Sequence, residues 1–298
     1  MAFNSRVTTS DSLYTSDDKF IVVLDSRNAT KVLNGSMNSC VTFDFEEPIQ
    51  TTRDVLKFTC SVMSFTAPNS IYNVTSLNNR LDLLYINEAD TYFLSLLIPT
   101  GNYNATTFMT KLRSLVVRVD SGFATGFDIT LDNITNKFTL THTTCLFHIM
   151  PTSTCHNVMG FDENTEVICT VGTTTAYAVY LPYTCNFLGT RNINIHFDSL
   201  ITSNLDSFNK SKSSIIQSVP VDANASLITY LKSTDYSFTI KQDVIDVVAI
   251  SIRDDLENYI DFNNQDWNLT LYFSITKDVE RFSHEQDFRH ILQHGYER

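Results

Sequence analysis

Short runs in which apolar and polar residues alternate make up most of this chain, with turn-forming residues between them. The clearest case spans residues 245–275, where two alternating runs flank an acidic, amide-rich middle. Alternate side chains of a strand point to the same face, which gives each run one apolar face. Those faces hold Val248, Ile250 and Ile252 in the first run, and Leu269, Leu271, Phe273 and Ile275 in the second. The pattern predicts two buried strands joined by a turn-rich link, in which Trp267, the only tryptophan, is a packing anchor rather than a binding platform.

The same alternation predicts strands along the rest of the chain. The predicted strands are 19–24, 40–45, 55–65, 81–86, 92–98, 127–131, 137–142, 176–181, 192–197, 214–219, 227–231 and 236–240. We expect hairpins at 81–98 and 127–142, a turn at Asn34-Gly35, and strand ends at Pro48 and Pro68. Because more than eight strands are predicted, an eight-stranded sandwich leaves several over for decoration or a small second sheet.

One amphipathic helix is predicted after residue 103. Asn104 or Thr106 can cap its start, and Phe108, Leu112, Leu115 and Val119 follow at helical spacing. We expect this apolar stripe to pack against a sheet, with partner binding as the alternative. A short helical turn is predicted at 153–159, with Ser153 as its cap and Gly160 as its end.

The two ends of the chain differ from the middle. Residues 1–18 are rich in Ser, Thr and Asp, and residues 277–298 are dominated by charge. Such segments bury too little apolar surface to order themselves. The predicted organisation is therefore an N-terminal arm at 1–18, a decorated β-sandwich domain at 19–276, and a charged C-terminal tail at 277–298, with both arms flexible.

Composition agrees with a mainly β protein and limits its partners. Of the 298 residues, 43% are hydrophobic and only 18% charged, with 21 Phe and 13 Tyr, which suits half-buried sheets. The formal net charge of −12 disfavours direct nucleic-acid binding, and the nearest basic pair, Lys210 and Lys212, lies in a Ser-rich loop. We expect no membrane-spanning segment and no signal peptide. The six cysteines lack CxxC spacing, so we expect buried free thiols.

The candidate metal ligands for zinc are His142, Cys145, His148, Cys155 and His156. If residues 138–149 are extended, His142 and His148 share a face about 20 Å apart, while Cys145 points to the opposite face. Only a sharp turn at Thr143-Thr144 would bring these side chains together.

The link at 254–266 is the other candidate, for calcium, through Asp254, Asp255, Glu257, Asp261 and Asp266. An EF-hand loop beginning at Asp261 needs Gly at its sixth position and Glu at its twelfth, where Asp266 and Tyr272 stand. A calcium site between loops and a glycosidase carboxylate pair are the alternatives to a solvated link. No GxSxG, Walker-type, GxGxxG or HExxH motif occurs. We therefore expect a non-enzymatic protein with no catalytic, cofactor-binding or metal residues and no cofactor.

Six segments, taken in order, resemble the penton and minor capsid proteins of large DNA viruses and virophages. They are FTAPNSIYNVTSLNN (65–79), IPTGNYNATTFMTKL (98–112), FDITLDNITNKFTLT (127–141), STCHNVMGF (153–161), NFLGTRNINIHFDSL (186–200) and IDFNNQDWNLTLYF (260–273). The resemblance implies a single jelly-roll β-sandwich, to which the patterns described above add extra strands and one amphipathic helix. It further implies pentamers at icosahedral vertices that contact the major capsid protein and other capsid components. No catalytic residue is implied.

Two other roles remain open at this point. The chain could be a minor capsid protein beneath or between capsomers, or a glycan- or receptor-binding β-sandwich that uses the aromatic, amide-rich loops at 70–79 and 261–267. A capsid protein would be made in the host cytoplasm and located in the virion.

Overall fold

The computed structural model describes residues 15–34, 37–51, 55–171, 176–200, 204–205, 212–222, 225–233 and 236–278. These residues divide into two compact units. The discontinuous unit joins the chain up to Ser70 to the chain from Arg191 onward, and the inserted unit is Ile71–Thr190. Both units are built mainly from antiparallel strands.

The strands, in chain order, are β1 (Thr15–Asp25), β2 (Lys31–Asn34), β3 (Met37–Gln50), β4 (Val55–Pro68), β5 (Arg80–Asn87), β6 (Asp90–Leu97), β7 (Phe127–Asp132), β8 (Lys137–His142), β9 (Leu146–Ile149), β10 (Val167–Ile168), β11 (Thr170–Val171), β12 (Tyr177–Tyr180), β13 (Asn192–Phe197), β14 (Asn204–Leu205), β15 (Lys212–Ser213), β16 (Ile215–Pro220), β17 (Leu227–Leu231), β18 (Phe238–Thr239), β19 (Val244–Arg253) and β20 (Asn268–Asp278). The helices are α1 (Ala105–Val119), α2 (Ser121–Ala124) and α3 (His156–Met159), and Ser26–Asn28 forms a 3₁₀ turn.

The discontinuous unit has the strand order of a jelly roll. Its first sheet is ordered β1-β20-β4-β17, with β18 also paired to β4, and its second sheet is ordered β16-β13-β19-β3-β2. Without the short β2, β18 and the β14–β15 pair, eight strands remain. The first sheet then holds the first, eighth, third and sixth of them, and the second sheet holds the fifth, fourth, seventh and second. Every neighbouring pair is antiparallel, which gives the doubled Greek key of a jelly-roll β-sandwich.

Trp267 lies between these two sheets and is fully buried, which confirms that it is a packing anchor. Its ring lies 6.4 Å from that of Phe43 on β3 and 6.3 Å from that of Phe65 on β4. The indole Nε1 donates a hydrogen bond of 2.7 Å to the Asn38 carbonyl oxygen. The predicted alternation is also confirmed on both sides of the link. Its apolar faces are buried at Val248, Ile250, Ile252, Leu269, Leu271, Phe273 and Ile275.

The inserted unit has a core of its own. Its two four-stranded sheets are ordered β10-β9-β5-β6 and β11-β12-β8-β7. Both predicted hairpins belong here, as β5–β6 and β7–β8. Large buried side chains of this core are Leu83, Leu96, Phe108, Phe138 and Phe147. Most of the strands beyond the eight of the jelly roll thus form a separate compact unit, which is inserted in the chain after β4 and before β13.

Helix α1 begins where the sequence predicts. Asn104 Oδ1 accepts the Thr107 N–H at 2.9 Å, and Thr107 Oγ1 accepts the Asn104 N–H at 3.0 Å, which completes a capping box. Phe108, Leu112 and Leu115 are buried as expected. Val116 completes the buried stripe in place of Val119, which is the last helical residue and is 49% exposed.

Several predicted boundaries are wrong. Strand β1 begins at Thr15 instead of residue 19, because its first residues pair with the end of β20, and β20 in turn runs two residues into the predicted tail. Strand β3 continues through Pro48 to Gln50. Its pairing with β19 shifts register here, because residues 45–48 of β3 lie opposite the single β19 residue Asp246. Pro48 lies in this irregular stretch, where its missing N–H interrupts no regular pair of the ladder. Strand β2 was not predicted. Most of the predicted N-terminal arm (1–14), residues 279–298 of the tail, and Gly35 of the predicted turn lie outside the described residues.

The predicted cap of the 153–159 turn is wrong as well. Helix α3 begins at His156, and Ser153 Oγ instead accepts the Asp82 N–H at 3.0 Å. Gly160 ends the helix as predicted, with φ of 92°. All six cysteines are free thiols, and five of them are buried, with Cys185 partly exposed.

Candidate functional site

A polar cluster on the second sheet of the jelly roll holds a serine, a histidine and two carboxylates. His196, on β13, is only 2% exposed, and its Nδ1 lies 3.0 Å from Ser214 Oγ. Ser214 Oγ donates its hydrogen to Asp198 Oδ1 at 2.9 Å, and His196 Nε2 lies 3.7 Å from Glu257 Oε1. A serine nucleophile must pass its proton to the imidazole. Since the single hydroxyl hydrogen of Ser214 goes to Asp198, Ser214 accepts from His196, and the arrangement is structural.

Arg253 joins this cluster to the link that follows β19. Its Nη1 donates to Glu257 Oε2 at 2.9 Å, its Nη2 lies 3.5 Å from Asp198 Oδ1, and its guanidinium stacks 5.0 Å from the Tyr259 ring centre. Burial raises the pKa of the Cys40 thiol. These bonds hold the beginning of the link against the outer face of the sheet.

The predicted calcium carboxylates each stabilise a different part of the link. Asp254 accepts the N–H groups of Leu256 and Asn258 at 2.8 and 2.9 Å. Asp266 Oδ1 accepts from Ser26 Oγ at 3.0 Å and Asn38 Nδ2 at 2.9 Å. The other three are bound separately: Asp261 Oδ1 accepts the Asn263 N–H at 2.7 Å, Asp255 accepts from Asn192 at 3.4 Å, and Glu257 pairs with Arg253. Asp254 and Asp261 thus stabilise turns within the link, and the other three carboxylates tie the link to residues outside it.

The predicted zinc ligands do not converge. The segment 138–149 is not one extended strand, because β8 ends at His142 as predicted and β9, in the other sheet of the inserted unit, begins at Leu146. The turn between them directs His142 at its own backbone, where Nδ1 accepts the Thr144 and Cys145 N–H groups and Nε2 contacts the Phe123 carbonyl at 2.8 Å. Burial lowers the pKa of His142.

The remaining candidates for zinc have other surroundings. His148 Nδ1 lies 3.2 Å from Glu166 Oε1, and the buried Cys155 thiol lies 3.4 Å from Met159 Sδ. Burial raises the pKa of the Cys155 thiol. Within the ranges that the structure describes, no group of three or more His, Cys, Asp or Glu side chains could hold a metal ion.

A buried carboxylate in the inserted unit was not among the predicted site residues. Asp82, on β5, is 3% exposed. It accepts hydrogen bonds from Ser95 Oγ at 2.6 Å and Thr152 Oγ1 at 2.5 Å, and Arg80 Nε lies 3.3 Å away. A single aspartate within the apolar run at 81–86 was the available signal. Asp82 joins β5, β6 and the segment after β9, so its role is structural.

Exposed aliphatic side chains mark both edges of the first jelly-roll sheet. On the edge strand β1, Ile21 is 54% and Val23 65% exposed. On the opposite edge strand β17, Leu227 is 47% and Leu231 76% exposed. Long edge strands with exposed apolar residues favour pairing with another chain. These edges, rather than a cleft with convergent polar groups, are the candidate functional surfaces.

The strand order and these open edges define a jelly-roll β-sandwich protein. No protein-family model matches the chain, and no curated protein sequence matches it. Among solved structures, the mavirus penton protein matches with a TM-score of 0.44 and 12% identity, over 87% of this chain and 100% of that one. A chain of the Sputnik virophage structure matches with a TM-score of 0.38 and 11% identity, over 88% of this chain and 98% of that one. Both TM-scores are below 0.5, so the fold assignment stands on strand order.

No helix in the described parts of the chain is long and apolar enough to cross a bilayer.

Proposed function

We propose that this protein is a structural subunit of a viral capsid, five copies of which form the penton at each icosahedral vertex and contact the major capsid protein. The observation that carries the proposal is the jelly-roll strand order of the discontinuous unit. Jelly rolls are a recurrent architecture of capsid proteins and also of lectins and cupins, so the fold alone is compatible with a capsid role and with a binding role.

Two of the six segments that resemble capsid proteins supply structural elements of this sandwich, and 98–112, 127–141 and 153–161 belong to the inserted unit. Residues 260–273 contain the end of the link, the buried Trp267 and the start of β20. Residues 186–200 contain all of β13 and, with it, His196 and Asp198 of the polar cluster. Their side chains are used to join sheets and loops. Such use suits a protein whose function is mechanical, and it supports our proposal that the chain is not an enzyme.

In the proposed role, affinity comes from repeated contacts between copies. Subunits related by rotation make the same head-to-tail contact at every position, and the ring closes when the rotation does. Modest contacts then suffice, because each subunit is held by two neighbours at once. The net charge of −12 favours partners among the other shell proteins over direct contact with the genome.

The glycan-binding alternative loses its main residue. That version needed Trp267 as an exposed platform, and the side chain is fully buried with its Nε1 bonded inside the sandwich. Trp267→Ala is therefore expected to lower the stability of the sandwich.

The test is the location of the chain in purified particles. A Fab fragment of an antibody raised against the recombinant protein is bound to intact virions, and the particles are imaged by electron cryomicroscopy with icosahedral averaging. We expect density at the fivefold vertices and a copy number, by quantitative mass spectrometry, in fixed ratio to the major capsid protein. Density beneath or between the facets would assign the chain to the minor capsid alternative. Absence from purified particles would reject the capsid role.

A further inference from the structure

The two edges of the first jelly-roll sheet are complementary to each other. The sheet is ordered β1-β20-β4-β17, and all its neighbours are antiparallel, so the two edge strands run in opposite directions. A second copy placed with its β1 beside β17 of the first therefore continues the antiparallel alternation. Among the described residues, neither edge strand carries a further strand on its outer side.

The strand register places the exposed aliphatic residues of the two edges at the same level. Val23 pairs with Thr270, Thr270 with Ser64, and Ser64 with Leu231. Directly paired residues share a face, so Val23 and Leu231 are the two ends of one row on the outer face. They are also among the most exposed large aliphatic residues of the unit, at 65% and 76%. Docking would bring the two side chains into contact and remove both from water.

Charge follows the same register. Asp17 pairs with Thr276, and Thr276 with Lys57. On the opposite edge, Thr239 pairs with Thr59, so the exposed Lys241, two residues further, falls on the row of Lys57 and Asp17. In the alignment that sets Val23 against Leu231, the acidic Asp17 of one copy faces the basic Lys241 of the next. Within its own chain Asp17 also contacts Lys19 Nζ at 3.3 Å.

Pairing of β1 with β1 of a second copy is the competing arrangement. An antiparallel pair centred on Ile21 sets Asp17 of each copy opposite Asp25 of the other, and like charges directly opposite in a ladder are destabilising. A pair centred on Val22 instead sets Lys19 opposite Asp25 and Ile21 opposite Val23. Charge therefore disfavours one register of this arrangement, and the variants described below distinguish it from head-to-tail docking.

We propose that the β1 edge of one copy docks against the β17 edge of a second copy, so that the first sheet continues head to tail through an assembly. The contact is heterologous, because it joins two different edges. An open dimer therefore keeps one free β1 edge and one free β17 edge, and further copies can add until a ring closes. The proposal specifies the subunit contact of the capsid role proposed above and rests on that role for the closure of the ring.

Two variants of the full chain test the contact: Val23→Lys blocks the β1 edge, and Leu231→Lys blocks the β17 edge. Each variant places a charge at a position that docking would bury. Sedimentation velocity and native mass spectrometry are used to compare self-association with that of the unchanged chain. Loss of one aliphatic contact, with a charge in its place, should weaken self-association about a hundredfold in each variant. Leu33→Lys is the matched control, because Leu33 is 57% exposed on β2, the edge of the other sheet. It should associate like the unchanged chain.

Mixing the two blocked variants distinguishes the arrangements. In head-to-tail docking, the intact β17 edge of Val23→Lys binds the intact β1 edge of Leu231→Lys, and the mixture forms a one-to-one heterodimer and nothing larger. If β1 instead pairs with β1, Leu231→Lys alone still dimerises, which overturns the proposal. A mixture that stays monomeric, or an unchanged chain that stays monomeric at about 100 μM, also overturns it. Far-ultraviolet circular dichroism checks that each variant is folded.

The two proposals can fail separately. If the chain lies at the vertices but Val23→Lys assembles normally, the capsid role stands and the edge contact is rejected. If the edge variants behave as expected but the chain is absent from purified particles, the contact stands and the capsid role is rejected.

Discussion

Replacement of Trp267 by alanine should destabilise the discontinuous unit more than any change at its surface. The side chain is fully buried between the two sheets and contacts Phe43 and Phe65. Truncation of a buried aromatic residue to alanine costs about 3–5 kcal/mol in unfolding free energy. The Asn38 carbonyl also loses its 2.7 Å hydrogen bond from Nε1, which adds about 1 kcal/mol. We therefore expect a loss of about 5 kcal/mol for Trp267→Ala and about 2 kcal/mol for Trp267→Phe, which keeps most of the apolar volume.

Equilibrium unfolding in urea measures this loss. Trp267 is the only tryptophan, so its fluorescence in the unchanged chain identifies the transition that belongs to the discontinuous unit. Far-ultraviolet circular dichroism then follows that transition in the variants. With a urea slope of about 2 kcal/mol per molar, a loss of 5 kcal/mol lowers the midpoint by about 2.5 M.

Leu256→Ala is the matched control for this experiment, because Leu256 belongs to the same link and is 59% exposed. It should change the unfolding free energy by less than about 0.5 kcal/mol. A loss below about 1 kcal/mol for Trp267→Ala would show that the two sheets do not depend on this side chain, and would refute the reasoning.

Three further predictions concern the inserted unit. Gly160→Ala should lower the unfolding free energy of this unit by about 2 kcal/mol or more, since φ is 92° and a Cβ would collide with the Tyr183 carbonyl. Gly101→Ala is the control, because the nearest atom to its added Cβ is 3.4 Å away, and it should be nearly neutral in the same thermal unfolding experiment. Asp82→Asn should cost about 1–3 kcal/mol, because an amide nitrogen cannot accept a hydroxyl hydrogen bond; unchanged hydrogen-exchange protection in β5 and β6 would contradict this. The pKa of Asp120 is lowered by the Tyr85 hydroxyl and backbone N–H groups, so its stabilising contribution is present above the ordinary carboxyl pKa and is lost as pH falls through the folded-state pKa. Asp120→Asn should therefore be less stable at neutral pH and lose less stability on acidification, and equal acid slopes in the two proteins would refute the assignment.

Local features of this fold could be predicted from the sequence, because their causes are local. The alternation that forms β20 and the Asn104 cap of α1 depend on residues a few positions apart. The path of β3 through Pro48 was missed, since it depends on how β3 pairs with β19, which lies about two hundred residues away in the chain. The inserted unit was missed because its strands have the same alternation as those of the jelly roll, and no Gly- or Pro-rich linker marks its two ends.

The candidate sites were harder to predict than the elements. The side chains around His196 come from β13, from the residue before β16 and from the link after β19, so their proximity depends on strand order. Composition suggested metal ligands at His142 and at the acidic link, but hydrogen bonds to nearby backbone N–H groups use those side chains instead. The edge residues Val23 and Leu231 look like ordinary strand positions until the sheet order makes them edges.

The pairing of β1 with β20 determines the order in which the chain can fold. Thr15 pairs with Asp278, so the first described strand has no partner in its sheet until residues 268–278 have been synthesised. The inserted unit is continuous and has its own core, so it can fold while the second half of the jelly roll is still being synthesised. Closure of the jelly roll then depends on contacts between distant parts of the chain, which form slowly. During that interval β1 is a strand with aliphatic residues and no partner in its sheet, a condition that favours pairing with other chains and aggregation.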